Sequence, residues 1–413
     1  MVKERYLQAK EIYKKIGIDT DKAIETLKTI PISIHCWQGD DVNGFENKLG
    51  ATGGIQTTGN YPGKARNKDE LMADYKFALS LIGGSKRINL HAIYAITDET
   101  VERDNIKPEY FDEWLKFAKE NDVKIDFNPT FFSHKLAADG MTLSHPDKNV
   151  RDYWIRHGKT SRAVAAYIGE KQKSPYLCNL WIPDGLKDIP ASRLEPRLRL
   201  KDSLDQIYSV KYPKEYIIDS VESKVFGIGL ESYTVGNSEF YQIYAAKNGL
   251  CCLLDTGHYH PTEVVSDKIS SLLCFNDKVA LHVSRPVRWD SDHVVILDDE
   301  LKEISKEIVR NNAIDKVIIG LDYFDASINR IAAWVIGTRN MQKALLNALL
   351  LPHNDLIKLQ NEQRFTELLA LSEEYKTLPF GDVWDEFLNQ EGLDNNWLEK
   401  VKEYEKDILL KRC

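Results

Sequence analysis

Residues 249–286 read GLCCLLDTGHYHPTEVVSDKISSLLCFNDKVALHVSRP, and this stretch indicates the fold class. A short apolar run ends at Asp255, a polar loop follows, a helical pattern covers Pro261 to Phe275, and a second apolar run begins at Val279. Short apolar runs joined by helical segments are typical of parallel strands connected by helices. The stretch therefore predicts one β–α–β unit of a parallel sheet.

The same unit recurs between residues 30 and 325. Most of the apolar, β-branched runs there lack a polar alternation, as expected of strands buried on both faces. The eight runs are Ile32 to Trp37, Arg87 to Tyr94, Lys124 to Phe132, Tyr176 to Pro183, Asp219 to Gly229, Gly249 to Tyr259, Val279 to Pro286 and Lys316 to Phe324. Eight parallel strands close a barrel, and the roughly 300 residues used here slightly exceed the usual ~250. We predict an α/β fold, a (β/α)8 TIM barrel.

Helical patterns with a spacing near 3.6 separate the runs. They cover Glu70 to Ile82, Pro108 to Asn121, Val150 to Glu170, Pro261 to Phe275, Asp298 to Arg310 and Asn329 to Leu349. Lys3 to Ile30 and Asp355 to Arg412 also have helical patterns outside the barrel. We predict an N-terminal helical extension (1–30), a catalytic barrel (31–350) and a C-terminal helical extension (351–413). The extensions would cover the barrel or make subunit contacts.

An open doubly wound sheet is the alternative architecture. It would require a glycine-rich phosphate loop after the first strand. The segment Gly59 to Arg66 contains glycine and lysine, but it neither opens a helix directly nor ends in Gly-Lys-Ser/Thr. The sequence therefore favours the barrel.

The composition indicates a soluble, cytoplasmic protein. Of 413 residues, 43% are apolar and 29% charged, and the formal net charge is −8. Net negative charge without a basic stripe argues against a nucleic-acid partner. No apolar run approaches membrane-spanning length, and the N-terminal residues lack the apolar core of a signal peptide. The irregularly spaced cysteines are interpreted as buried free thiols; they are Cys36, Cys178, Cys251, Cys252, Cys274 and Cys413.

Polar residues that could carry chemistry follow the last four apolar runs. Active sites of such barrels form at the carboxyl ends of the strands. The polar residues there are Glu222, Ser223 and Lys224 on the fifth run, Asp255 and His258 on the sixth, His282, Asp290, Asp292 and His293 on or after the seventh, and Asp322 and Asp325 on or after the eighth. We expect these strands to deliver at least four carboxylates and two imidazoles to one rim.

A divalent cation is the simplest explanation for so many carboxylates at one mouth, because like charges in a low dielectric repel strongly. Oxygen ligands with neutral imidazole suit Mn²⁺, Mg²⁺ or Co²⁺, with Zn²⁺ as a further option. Seven candidate ligands are more than one ion can bind if it also keeps coordination positions open for substrate. Two neighbouring ions would use them all.

Taken singly, each of these features has a structural interpretation. Asp255 could cap a turn, Asp290 and Asp292 could be solvated loop residues, and His282 could be a hydrogen-bonded core histidine. Glu222 and Lys224 could form an internal ion pair. The convergence of all of them on successive strand ends favours a metal site.

The longest of these motifs resembles the L-rhamnose isomerase family. The matching segments are His35 to Asp41, Gly59 to Arg66, Asn89 to Tyr94, Val221 to Lys224, Asp255 to His258, His282 to His293 and Gly320 to Asp322. They occur in that family's order, and the helical extensions are similar as well. The run Arg285-Pro-Val-Arg-Trp-Asp-Ser-Asp-His293 is far more specific than a two-residue signature.

The resemblance implies a cytoplasmic homotetramer that interconverts L-rhamnose and L-rhamnulose with Mn²⁺, two ions per subunit. It implies a tight site of Glu222, Asp255, His282 and Asp322, and a second site of His258, Asp290 and Asp292. It assigns substrate contacts to His91, Trp181, Glu222 and Lys224, and catalytic roles to Lys224, His258, Asp290, Asp292 and Asp322.

The chemistry required moves one hydrogen between C1 and C2 and one proton between their oxygens. Our hypothesis is a metal-assisted hydride shift, with the proton moved near Lys224, His258, Asp290 and Asp292. An enediol route with a side-chain base at C2 is the alternative. Three other functions stay open: isomerisation or epimerisation of another aldose, two-metal hydrolysis, and sugar binding without catalysis.

Overall fold

The computed structural model describes residues 2–46, 55 and 57–412. Its strands are β1 (Ile32–His35), β2 (Lys86–His91), β3 (Lys124–Asn128), β4 (Tyr176–Leu180), β5 (Gly185–Leu186), β6 (Ile217–Glu222), β7 (Tyr233–Thr234), β8 (Cys251–Asp255), β9 (Val279–Val283) and β10 (Val317–Leu321). Within this described part, β1, β2, β3, β4, β6, β8, β9 and β10 pair in parallel and close a barrel, because β10 pairs with β1. The predicted fold is confirmed.

Helices surround the barrel, and further helices precede it and follow it in the chain. They are α1 (Val2–Lys14), α2 (Thr20–Thr29), α3 (Lys68–Leu79), α4 (Asp112–Glu120), α5 (Lys148–Gln172), α6 (Leu194–Ile207), α7 (Ser238–Asn248), α8 (Val265–Leu273), α9 (Asp299–Arg310), α10 (Arg330–Leu349), α11 (His353–Asn361), α12 (Phe365–Glu374), α13 (Phe380–Gln390) and α14 (Trp397–Asp407). Side-chain caps begin several of them: Asn67, Asp298 and Asn329 each accept a backbone N–H of the first turn.

The strands are shorter than the predicted apolar runs. The fifth run was expected to reach Gly229, but β6 ends at Glu222 because the chain leaves the barrel there. The loop beyond it forms β7, which pairs antiparallel with β5. Two barrel helices, α6 and α7, were not predicted. The helix α6 contains Pro196 near its start, and α7 carries apolar residues around most of its circumference, so neither shows a clear stripe.

The helical extensions pack differently from each other. The helix α1 packs against α13, where Arg5 pairs with Asp385 at 2.6 Å. Near the C-terminus, Arg412 pairs with the buried Asp74 at 2.6 Å and holds the chain against α3. By contrast, α12 contains no buried residue. The pair α11–α12 therefore contributes little to the core of this subunit.

The described cysteines are all free thiols. Cys36, Cys178, Cys251 and Cys252 are buried, as expected, but Cys274 is exposed at the end of α8, so the prediction of burial is wrong there. Cys413 lies outside the described residues. Among the helices that the structure describes, none combines the length and apolarity needed to cross a membrane.

Candidate active site

Polar side chains line the mouth of the barrel at the carboxyl ends of four neighbouring strands. Glu222 and Asp255 are the last residues of β6 and β8, His282 lies next to the end of β9, and Asp322 directly follows β10. The strand register places His282 beside Asp255 on one side and Gly320 on the other. Because these four strands are adjacent in the barrel, their ends bring the side chains together.

Glu222, Asp255, His282 and Asp322 form a first cluster. The Nδ1 atom of His282 lies 3.0 Å from an Asp322 oxygen, 3.2 Å from a Glu222 oxygen and 3.9 Å from an Asp255 oxygen. All four residues are buried, and one ligand atom from each lies within 4.8 Å of the others. Within the described chain, neither nitrogen of His282 has a hydrogen-bond partner. A buried, unbonded nitrogen facing three carboxylates is the arrangement expected of cation ligands.

Asp255, His258 and Asp290 form a second cluster that shares Asp255 with the first. The Nε2 atom of His258 lies 3.3 Å from Asp290, and its Nδ1 atom lies 3.1 Å from Glu222. Asp292 lines the same pocket. The two clusters are thus contiguous, with Glu222 and Asp255 between the two imidazoles.

The loop after β8 can approach Asp290 because residue 257 is glycine. A Cβ atom on Gly257 would lie 2.6 Å from an Asp290 oxygen and 3.3 Å from an Asp255 oxygen. Contacts under 3.0 Å require one group to move, so a larger residue would displace the carboxylate. Glycine at this position allows the second cluster to form.

Crowding of carboxylates shifts the pKa values in the site. Burial raises the pKa of Asp255 to about 8, and repulsion from Glu222, Asp290 and Asp322 adds to the rise. Burial alone would lower the pKa of His282, but the negative charges of Glu222 and Asp322 raise it well above its ordinary value. Without a cation, Asp255 and His282 therefore retain protons. A bound divalent cation would displace these protons.

Lys224 brings a positive charge to the rim of the site. Its Nζ atom lies 2.6 Å from an Asp290 oxygen and 4.8 Å from the centre of the Trp181 ring. Burial alone would lower the pKa of Lys224, but Asp290 and Asp292 raise it above its ordinary value. The side chain therefore stays an ammonium ion and can donate hydrogen bonds to a bound molecule.

The pocket above the clusters combines an acidic floor with an aromatic wall. The residues lining it are Trp37, Ile55, His91, Asn128, Pro129, Phe132, Asn179, Trp181, Glu222, Lys224, Asp255, His258, His282, Asp290, Asp292, Asp322 and Phe324. No cysteine is among these described lining residues. Carboxylates with imidazoles and no thiolate fit Mn²⁺, Mg²⁺, Co²⁺ or Zn²⁺. The residues present therefore fit a divalent cation.

Comparison with known proteins identifies the family. The profile of the L-rhamnose isomerase (RhaA) family matches residues 1–412. The chain belongs to the L-rhamnose isomerase family. It is 57% identical over 407 residues to the L-rhamnose isomerases of Salmonella gallinarum and Salmonella paratyphi B, and each alignment covers 98% of this chain and 97% of the relative. The resemblance seen in the sequence is thereby confirmed.

Among solved structures, the chain is similar to an L-ribulose 3-epimerase. The identity is 11%, the alignment covers 77% of this chain and 95% of the other, and the TM-score is 0.48. A D-psicose 3-epimerase bound to D-tagatose, from Clostridium cellulolyticum, is 10% identical, with coverages of 77% and 96% and a TM-score of 0.45.

All ten site residues predicted from the L-rhamnose isomerase resemblance line this one pocket. These are His91, Trp181, Glu222, Lys224, Asp255, His258, His282, Asp290, Asp292 and Asp322. The second site was predicted to contain His258, Asp290 and Asp292. In the structure, the ligand atoms that lie within 4.8 Å of one another belong to His258, Asp290 and Asp255. Asp325 stays outside the pocket, because its carboxylate accepts from the backbone and hydroxyl of Ser327 in a turn.

Asn179 and His35 are polar residues of the site that were not predicted. The side-chain amide of Asn179 on β4 donates from Nδ2 to Glu222 at 2.5 Å, and its Oδ1 atom accepts from the Ser220 hydroxyl at 2.8 Å. His35 ends β1, and its Nδ1 atom lies 3.5 Å from an Asp322 oxygen. The rule that identified Asp255 and Glu222, namely polar residues ending apolar runs, would also have identified His35.

Proposed function

We propose that this protein interconverts L-rhamnose and L-rhamnulose as a metal-dependent aldose–ketose isomerase of cytoplasmic L-rhamnose catabolism. The observation that carries the proposal is the pair of contiguous carboxylate–imidazole clusters in the barrel mouth of a chain from this family. The catalytic domain would be the barrel of residues 31–350, flanked by helical extensions 1–30 and 351–413.

Two cations, most simply Mn²⁺, would occupy the two clusters. Glu222, Asp255, His282 and Asp322 would hold the first, and His258, Asp290 and Asp292 the second. Support for this division comes from the unbonded His282 nitrogens and from the position of Asp292 at the same pocket. When bound, the cations supply Lewis acidity that polarises the sugar carbonyl and stabilises developing charge on oxygen.

The protein's own side chains would position the sugar and move one proton. Lys224 is a buried ammonium that can donate to a sugar oxygen and favour a negative charge there. The Nδ1 atom of His91 is buried without a hydrogen-bond partner among the described residues, which suits a contact with a hydroxyl group. Trp181 lies beside Lys224 and would cover one side of the sugar. The aromatic wall would also limit entry of water.

The proposed route is a hydride shift. In the forward direction, hydrogen with its electron pair moves from C2 to C1, while a proton moves from the C2 hydroxyl to the C1 oxygen. Lys224, His258, Asp290 and Asp292 lie in the pocket where this proton transfer would take place. The enediol alternative requires a side-chain base that removes the C2 proton, and such a proton exchanges with solvent.

Isomerisation of L-rhamnose in D₂O tests both the reaction and the route. We expect L-rhamnulose to form with no deuterium on C1, because the migrating hydrogen does not meet solvent. The product is analysed by proton NMR, with chemically isomerised sugar in the same D₂O as the control for exchange. Deuterium at C1 would contradict the hydride shift, and absence of any ketose would contradict the proposed reaction.

The pocket offers less support for phosphate hydrolysis. Among its described lining residues, Lys224 is the single lysine or arginine, and it is already paired with Asp290. Enzymes that act on phosphate esters commonly hold the phosphate with arginine or lysine side chains in addition to any metal ions. The acidic floor and aromatic wall suit a neutral sugar better.

The helices α11 and α12 offer a surface for assembly into the proposed homotetramer. Phe365 and Leu369 on α12 are 58% and 65% exposed, and Ile357 on α11 is 38% exposed. Clustered apolar residues that do not pack within a subunit are typical of contacts between copies of a chain. We therefore propose that this helical pair mediates assembly.

Leu369→Glu is expected to lower the assembly state, because a carboxylate would be buried at the subunit contact. The measurement is molar mass by size-exclusion chromatography with light scattering. Ile243→Glu is the control, since Ile243 is 60% exposed on a different helix, α7. An unchanged mass for Leu369→Glu would show that this surface is not the interface.

A further inference from the structure

His35 lies at the edge of the first cluster without an assigned role. It ends β1 and is 1% exposed. Its Nδ1 atom lies 3.5 Å from Asp322 Oδ1 and 3.3 Å from His91 Nε2, and its Nε2 atom lies 3.0 Å from Asn89 Nδ2. His35 therefore lies between Asp322, a proposed cation ligand, and two polar residues of β2, Asn89 and His91.

The hydrogen bonds of two asparagines fix the tautomer of His35. Asn128 Nδ2 donates to Asn89 Oδ1 at 2.6 Å, so Asn89 presents its amide nitrogen to His35 Nε2. An amide nitrogen only donates, and hence His35 Nε2 must accept. The proton of the neutral ring is therefore on Nδ1, the atom that faces Asp322.

With its proton on Nδ1, His35 cannot bind a cation through that atom, but it can donate a hydrogen bond. His35, His282 and Asp322 have ligand atoms within 4.8 Å of one another, but a protonated Nδ1 has no lone pair for a cation. The Nδ1–H group has two acceptors within reach. One is His91 Nε2 at 3.3 Å, whose single lone pair also faces the donor Asn128 Nδ2 at 3.3 Å. The other is Asp322 Oδ1 at 3.5 Å, which is buried without a hydrogen-bond partner among the described residues. The other oxygen of Asp322 faces His282 at 3.0 Å. Each oxygen of Asp322 thus has its own neighbour.

We propose that His35 is a positioning residue, set by the chain Asn128–Asn89–His35 to donate from Nδ1 to Asp322 Oδ1 and so direct Oδ2 toward the first cation. The inference rests on the proposed function, because it takes Asp322 as a cation ligand. The 3.5 Å separation must shorten by about 0.5 Å to reach a usual hydrogen-bond length. Loss of such a partner lowers metal affinity by about 10–100-fold.

Two substitutions of His35 separate a donor role from simple packing. His35→Leu removes the donor, whereas His35→Asn places an amide nitrogen near the position of Nδ1. We expect Mn²⁺ affinity, measured by isothermal titration of metal-free protein, to fall about 10–100-fold in His35→Leu and to be largely restored in His35→Asn. Thermal melting of the metal-free proteins checks that each variant is folded.

His35→Gln is the matched control for His35→Asn. Both variants replace the ring with a neutral amide, but the longer glutamine side chain places its amide nitrogen near the position of Nε2 and not of Nδ1. We therefore expect Mn²⁺ affinity in His35→Gln to stay as low as in His35→Leu. This comparison tests the proposal even if His35→Leu fails to fold.

The outcomes that overturn the proposal are specific. They are wild-type Mn²⁺ affinity in folded His35→Leu, equal affinity in His35→Asn and His35→Gln, or affinity in His35→Asn as low as in His35→Leu. Because the readout is metal binding, it decides the role of His35 without relying on turnover. Wild-type protein that binds Mn²⁺ but does not isomerise L-rhamnose would contradict the proposed function alone.

Discussion

Asp322→Asn is expected to abolish tight cation binding and to lower kcat/KM for L-rhamnose by about a thousandfold or more, since a polarising cation contributes several kcal/mol to transition-state stabilisation. An amide has nearly the shape of the carboxylate but no charge. Asp322 lies 3.0 Å from the unbonded Nδ1 atom of His282, at the proposed cation position. Metal content after dialysis and initial rates of ketose formation measure the two effects.

Asp325→Asn is the matched control for this variant. It makes the same chemical change three residues along the chain, in a turn where the side-chain oxygen accepts from Ser327. An asparagine oxygen can accept the same hydrogen bonds, so metal content and rate should stay at wild-type levels. Wild-type metal content and rate in Asp322→Asn would show that the ligand assignment is wrong.

Lys224→Met is expected to lower kcat by about 10²–10⁴-fold, the usual contribution of a positioned proton-transfer group. Methionine keeps much of the apolar stem that lies near Trp181 but removes the ammonium ion beside Asp290. Because Lys224 is not among the clustered ligands, metal content should stay near the wild-type value. Steady-state kinetics on metal-replete enzyme, with metal analysis of the same sample, measures both.

Lys268→Met provides the comparison for Lys224→Met. Lys268 also pairs with a carboxylate, Glu263, and lies 4.5 Å from the centre of an aromatic ring, that of Tyr259, but it does not line the pocket. The same change there should leave kcat unaltered. If both variants keep the wild-type kcat, Lys224 takes no part in the reaction, and proton movement must be assigned elsewhere.

The barrel was predictable because its parallel strands are largely buried on both faces, which makes several of them, such as β8 and β10, nearly unbroken apolar runs. Every predicted run overlaps a barrel strand. The ends were less accurate, since the apolar pattern continues past the strand, as after Glu222. The short β5–β7 pair could not be predicted, because two-residue strands carry no periodic signal.

The candidate site was predictable where its residues end apolar runs. Asp255 and Glu222 were found in this way, and the resemblance to the family supplied His91 and Trp181. The contact of Asn179 with Glu222 depends on the register of β4 against β6, which one sequence does not reveal. The grouping of Asp255 with His258 and Asp290 depends in the same way on how the loops after β8 and β9 fold together.

Removal and return of the cation test the central claim most directly. Protein stripped with EDTA is assayed for ketose formation from L-rhamnose, with and without added Mn²⁺, beside L-mannose and other aldoses. We predict no turnover in the stripped protein, recovery with Mn²⁺, and the highest rate on L-rhamnose. Full activity in protein shown to contain no metal, or no ketose from any aldose after Mn²⁺ is restored, would contradict a metal-dependent isomerase at this site.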